Sequence, residues 1–207
     1  MMLALTAGLA VLLAFSPTSN EILEIGATAP ESNVEMMDVS GATHTLNSLK
    51  KENGLLVIFS CNTCPFVIGN GDKSEGWEKR YSDVAKMAER SNVGMVLVNS
   101  NEAKREGDDS LERMQKQAKS MNYSCAYVVD KNHVVADAFG AKTTPHVYLF
   151  DKDMKLVYKG AIDDNVDDSK SVKEHYLRDA LSNLSAGKEI NPNSTRQLGC
   201  SIKRVKS

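Results

Sequence analysis

The chain has 207 residues, of which 42% are hydrophobic and 25% charged, enough apolar material to bury a full core and no compositional sign of disorder. A net charge of -2, with no dense stripe of Lys or Arg, argues against a nucleic-acid surface built on phosphate contacts. Lys203, Arg204 and Lys206 near the C-terminus are too few to change that.

Residues 3–15 form an apolar run rich in Leu and Ala, followed by the polar exit Ser16-Pro17-Thr18-Ser19-Asn20. This reads as a secretory leader over residues 1–19 and predicts an exported protein, periplasmic or secreted. No Lys or Arg precedes the run, so a buried N-terminal helix of a cytoplasmic protein is the competing reading. The run falls short of the about 20 apolar residues a membrane span needs, and no stable span is expected. Residues 20–207 are then one domain with a C-terminal tail over 187–207.

Residues 34–37 and 44–46 flank Ser40-Gly41 as a β-hairpin. Residues 55–59 are apolar without alternation, as a strand buried on both faces should be, and mark the centre of a sheet. From Cys64 a helical segment is expected to run, with a break at Gly69-Asn70-Gly71, through Trp77, Tyr81, Val84, Ala85 and Ala88, whose spacing shares one face. Residues 93–99 give a second buried strand. The charged loop after it ends in Asp108-Asp109-Ser110, a cap for a helix over 111–121. A third strand is expected at 125–129 and a short helix at 134–139. Asp151-Lys152-Asp153 then turns an antiparallel pair, and a last helix lies near 172–184. The acidic stretch 163–168 lacks the glycine and distal glutamate of a calcium loop and reads as solvated.

Chemistry concentrates at Cys61-Asn62-Thr63-Cys64-Pro65, where the strand 55–59 ends and a helix begins. Unpaired N–H groups at a helix start lower a thiol pKa, so Cys61 is the expected nucleophile and Cys64 its partner. Pro65 suits a first helical turn, where its missing N–H does no harm. No second cysteine pair or Cys/His set completes a zinc site, and no metal is predicted. Thr144-Pro145, just before an apolar strand, reads by itself as a turn.

The segments Phe59-Ser60-Cys61-Asn62-Thr63-Cys64-Pro65-Phe66-Val67, Val98-Asn99-Ser100-Asn101, Thr144-Pro145, Tyr148-Leu149-Phe150-Asp151, residues 156–164 and Gly199-Cys200-Ser201-Ile202-Lys203 together resemble the peroxiredoxin-like branch of the redoxin (AhpC/TSA-related) thioredoxin superfamily, over roughly residues 25–203. The resemblance implies an α/β thioredoxin-like fold: a central mixed β-sheet flanked by helices, here with the hairpin as an N-terminal extension. It also implies a thiol-based redox function, with a cis-proline loop at Thr144-Pro145 that packs beside the cysteine pair and offers backbone hydrogen bonds to an incoming peptide. Two features depart from the relatives. Ile58 and Cys61 stand where a peroxidase would have a Thr or Ser three residues before its reactive cysteine. The strand 55–59 also lacks the buried acid that accepts a proton in many thioredoxins.

The leading expectation is a thiol–disulfide oxidoreductase exchanging a Cys61–Cys64 dithiol/disulfide with protein thiols, with no cofactor beyond that redox-active disulfide and with a redox partner protein. A thiol peroxidase acting on hydroperoxides is the alternative. A copper or soft-metal carrier using Cys61, Cys64 and His146 is a third. His146, next to Pro145, could also tune Cys61. Cys200 could resolve a disulfide, although packing of the tail is the preferred reading, and Cys125 reads as a buried apolar residue.

Overall fold

The computed structural model describes residues 21–205, and the leader expected over 1–19 lies outside the described residues. The hairpin forms as β1 (Met36–Asp38) and β2 (Thr43–His44). Its second arm stops at His44 because Thr45 starts a helical turn, α1 (Leu46–Leu49). The Thr45 hydroxyl accepts the Ser48 N–H at 3.0 Å, and the Ser48 hydroxyl accepts the Thr45 N–H at 2.9 Å, a reciprocal cap that rolls Leu46 into the core.

The central strand β3 (Gly54–Phe59) is buried along its whole length. The helix expected after it is shorter than its spacing suggests. α2 (Pro65–Ile68) makes one turn, and Gly69 ends it at φ +88, where a Cβ would also press on the Ser74 and Glu75 carbonyls. Two 3-10 turns, Gly71–Lys73 and Glu78–Arg80, carry the chain to α3 (Tyr81–Arg90), which presents Tyr81, Val84, Ala85 and Ala88 to the sheet as its periodicity predicts. Then follow β4 (Val93–Asn99), α4 (Leu111–Ser120), β5 (Ala126–Val129), α5 (Val134–Ala138), β6 (Thr143–Thr144), β7 (His146–Phe150), β8 (Leu156–Gly160), α6 (Tyr176–Ser185) and β9 (Cys200–Ser201).

Among the described residues seven strands form one mixed sheet in the order β2-β1-β5-β4-β3-β7-β8. β3, β4 and β5 run parallel, while β1 and β7 join antiparallel at either side. Alternation along the strands splits the core in two. Leu56, Ile58, Met95, Leu97, Val147 and Leu149 face α3 and α6, together with both Cys61 and Cys64. Leu55, Val57, Phe59, Val96, Val98, Tyr148 and Phe150 face α1 and α5. Burial of each large side chain stabilises the sandwich by roughly 1.5–3 kcal/mol, which accounts for an apolar run with no polar alternation in β3.

The acidic stretch is not wholly solvated. Asp163 is buried and accepts the Trp77 indole N–H at 2.8 Å and the Arg80 guanidinium at 2.5 Å, pinning the irregular segment between α2 and α3. The loop carries this acid inward because two donors wait there.

Candidate active site

Past Phe59 the chain is still held by β4, with the Ser60 N–H donating to Val98 O at 2.9 Å, and then turns through Cys61-Asn62-Thr63 to Cys64. Cys64 is the N-cap of α2 and Pro65 its first residue, so the strand-to-helix junction is as expected. Both thiols are buried and free. The Thr144–Pro145 peptide is cis, and Thr144 touches both sulfurs. Its hydroxyl lies 3.1 Å from Cys61 Sγ, and its carbonyl accepts the Cys64 thiol at 2.9 Å.

The two sulfurs differ in electrostatics. Cys61 is raised well above the ordinary thiol value, first by its hydrogen bond to Cys64 and then by burial, against the Thr144 hydroxyl that lowers it. Cys64 is lowered, chiefly by its contact with Cys61, with the backbone N–H groups of Cys200 and Phe66 assisting against burial and the Cys200 side chain, which both raise it. The Cys200 N–H donates to Cys64 Sγ at 3.3 Å. The opposite shifts favour ionisation of Cys64 over Cys61, while the Thr144 carbonyl that accepts the Cys64 thiol favours the protonated form of Cys64.

Beneath the pair lies a polar floor that the sequence did not announce. Asp109, fully buried, accepts the Asn62 N–H at 2.8 Å, the Asn99 side-chain amide at 2.8 Å and the Asn101 side-chain amide at 3.0 Å. Tyr127 donates to Asn62 Oδ1 at 2.9 Å and accepts from Asn99 at 3.0 Å. Arg105 ties the backbone carbonyls of Asp109 and Asn99 at 2.6 and 2.8 Å. Asp109 reads in sequence as part of a helix cap, yet the cap of α4 is Ser110 alone, whose hydroxyl accepts the Arg113 N–H. The available signal was Asn99-Ser100-Asn101, three polar residues at the carboxyl end of a buried parallel strand, where α/β sheets assemble their sites.

The remaining candidates separate. Thr144 and Pro145 stand against the pair. Cys200 lies on the tail beside Cys64, because β9 pairs antiparallel with β6, Thr144 opposite Cys200 and Thr143 opposite Ser201. His146 does not join the site. It shares the parity of Tyr148 along β7, so its ring turns to the opposite face of the sheet and lies 3.2 Å from the Tyr148 hydroxyl. Burial, with Lys159 and Lys142 nearby, lowers its pKa to about 3. It therefore neither tunes Cys61 nor supplies a third ligand to the two sulfurs. Among the described residues no three His, Cys, Asp or Glu side chains are grouped to hold a metal ion. Cys125 is partly buried, and burial pushes its thiol up to about 12, consistent with an inert packing residue. No helix among the described residues is long and apolar enough to cross a membrane.

A cysteine pair capping the helix after the central strand, set against a cis-proline segment in a mixed α/β sandwich, defines a thioredoxin-like protein of the redoxin type. The AhpC/TSA family pattern matches residues 25–159, and the chain belongs to this family. Among solved structures it is similar to an uncharacterized conserved protein from Geobacillus kaustophilus, at 31% identity and TM-score 0.79, covering 89% of this chain and 94% of that one. It is similar also to a hypothetical protein from Sinorhizobium meliloti 1021, at 29% identity and TM-score 0.79, covering 90% and 98%. The fold extends to the peroxidoxin BcpB of Mycobacterium tuberculosis, at 18% identity and TM-score 0.54, covering 79% and 97%. No curated protein matches. Family and fold together give the chain a redox role, with thiol or peroxide substrates and a redox partner.

Proposed function

We propose that the protein is a thiol–disulfide oxidoreductase that cycles Cys61 and Cys64 between dithiol and disulfide, with Cys64 as the attacking sulfur. The observation that carries this reading is the place of Cys64 at the start of α2 with the Cys200 N–H 3.3 Å from its sulfur, and the opposite shifts of the two thiols, Cys64 lowered and Cys61 raised, support it. Cys64 thiolate attacks a substrate disulfide, a mixed disulfide forms, and one substrate thiolate leaves. Cys61 then gives up its proton and attacks Cys64 Sγ, which closes Cys61–Cys64 and releases the second substrate thiolate. These roles invert the order expected from sequence, in which the first cysteine of the pair attacks. Export through residues 1–19 belongs to this proposal, and would require an electron donor or acceptor in that compartment.

Reduction of a model disulfide with dithiothreitol as electron source tests it. Cys61→Ser should still react with the disulfide at Cys64, and Cys64→Ser should lose reactivity. Trapping on Cys61 in Cys64→Ser, with Cys61→Ser inert, would restore the sequence-based order. A hydroperoxide as the oxidant is the second reading, favoured by one observation: both sulfurs are covered, so a small substrate reaches them more readily than a protein. Peroxide consumption at a rate well above disulfide reduction would select it.

A further inference from the structure

The residue before the cis-proline carries backbone groups that point along the cysteine pair, and in this chain a strand already uses them. β9 lies antiparallel on β6, with Thr144 opposite Cys200, at the edge where an incoming peptide would pair. The seating is close. Gly199 rests against the Thr144 carbonyl so tightly that a Cβ would fall inside contact distance of it. On the other side Ile202 is buried and its N–H donates to Lys142 O at 3.0 Å, the Lys203 N–H donates to Asn101 Oδ1 at 2.8 Å, and Arg204 pairs with Asp137 at 2.6 Å.

This seating brings a third sulfur to the pair. The backbone nitrogen of Cys200 is 3.3 Å from Cys64 Sγ, and the Cys200 thiol, three bonds from that nitrogen, swings about a single χ1 axis. Cys125 is not part of this group: it packs beside the sheet, and burial pushes its thiol up to about 12.

We propose that Cys200 is a working thiol of the cycle, that it closes a disulfide with Cys64, and that β9 occupies the site as the chain's own peptide substrate. The inference rests on the reading that Cys64 is the attacking sulfur. The oxidant is a substrate disulfide RSSR. Cys64 thiolate attacks one of its sulfurs, so that Cys64–S–S–R forms and RS⁻ departs. Cys200 loses its proton to solvent and attacks Cys64 Sγ; the bond to R breaks, Cys64–Cys200 forms, and a second RS⁻ departs. Two protein thiols are oxidised and one disulfide is reduced to two thiols. Cys61 then loses its proton and attacks Cys64 Sγ, so that Cys61–Cys64 forms and Cys200 departs as the thiolate.

The test uses full-length Cys61→Ser protein, reduced and then treated with glutathione disulfide. The expected result is release of two equivalents of glutathione per chain, and, after non-reducing trypsin digestion, a linked pair of peptides spanning residues 52–73 and 197–203. Cys61→Ala should give the same product, which guards against an effect of the introduced hydroxyl. Adding Cys200→Ser to either variant should stop the reaction at one equivalent, with glutathione retained on Cys64. A persistent Cys64 adduct in Cys61→Ser with Cys200 still open to alkylation overturns the inference and leaves the exchange reading standing. A Cys64 thiol still open to alkylation after the treatment, with no glutathione released, overturns both.

Discussion

The carboxylate of Asp109 accepts the backbone N–H of Asn62 at 2.8 Å, so the first amide after Cys61 is committed to a buried acid and not to the sulfur beside it. The same negative charge raises the Cys61 pKa, behind the larger effects of the Cys64 contact and burial. A residue from the loop before α4 thereby helps decide which cysteine keeps the proton. Asp109→Asn should lower the Cys61 pKa and narrow the gap between the two thiols, read as ultraviolet thiolate absorbance against pH. It should also cost about 1–3 kcal/mol of stability, because the new amide faces donors where an acceptor stood. An unchanged titration in a folded variant would leave Asp109 a purely structural residue.

Ionisation of the pair itself is directly measurable. In the reduced protein the first thiolate to appear with rising pH should be Cys64, below the ordinary thiol range, followed by Cys61 well above it. Cys64→Ser should abolish the early step, whereas Cys61→Ser should keep it at a somewhat higher pH, since a hydroxyl is a weaker support than the shared thiol proton. An early step that survives in Cys64→Ser would assign it to Cys61.

The contact between Gly199 and the Thr144 carbonyl offers a way to loosen β9 without touching a sulfur. Overpacking there should cost about 1–3 kcal/mol, which raises the fraction of chains with the strand displaced about 5- to 150-fold. Gly199→Ala should therefore speed alkylation of Cys64 by a bulky maleimide by a factor in that range. Equal rates in the two proteins would mean that β9 does not limit access.

On the other face of the sheet from the cysteines, His146 makes a pH prediction. Burial, helped by Lys159 and Lys142, lowers its pKa from 6.5 to about 3, so the unfolded chain binds a proton over that window and the folded chain does not. Its contribution to stability is present above pH 6.5 and is lost as pH falls toward 3, at about 1.4 kcal/mol per pH unit at most. His146→Phe, which keeps a ring beside Tyr148, should flatten the fall in urea midpoint between pH 6 and 4. A slope as steep as in the parent would move the acid sensitivity elsewhere.

The Asp163 anchor carries a stability prediction. Asp163→Ala strands the Trp77 indole and leaves the mostly buried Arg80 without its main counter-charge, for a loss of about 3 kcal/mol in denaturant unfolding. Asp163→Asn keeps an acceptor for Trp77 and should lose less. Comparable losses in the two variants would mean the charge, not the hydrogen bond, holds the segment.

Much of this molecule is legible in the chain, and the exceptions have physical causes. The runs that become β3 and β4 are apolar on both faces, and α3 has an apolar stripe, so periodicity alone locates them. The side of the sheet taken by His146 follows from strand alternation with Tyr148 and Phe150, but adjacency to Pro145 in sequence pulls the reading toward the cysteines. Asp109 stands at the end of a charged loop, where it reads as part of a helix cap, and only tertiary folding turns it inward under Asn62. β9 is two residues long, below the length at which any pattern forms, so its pairing with β6 has no sequence signature. The short α2 was hidden for a different reason: Trp77 and Tyr81 do pack where a helix would put them, although 3-10 turns deliver them there.

Because β9 is joined to the body of the protein through Thr195, whose N–H donates to Lys159 O at 3.0 Å, only a few residues separate it from a fixed point. A segment held so closely competes as though dissolved at an effective concentration on the order of millimolar. An intruding polypeptide must outbid that neighbour at the edge of Thr144, while a small disulfide or hydroperoxide can slip past with the strand in place. On the proposed reading the seam between β6 and β9 would act as a size filter, with selectivity among oxidants set by how often a short stretch of backbone lets go.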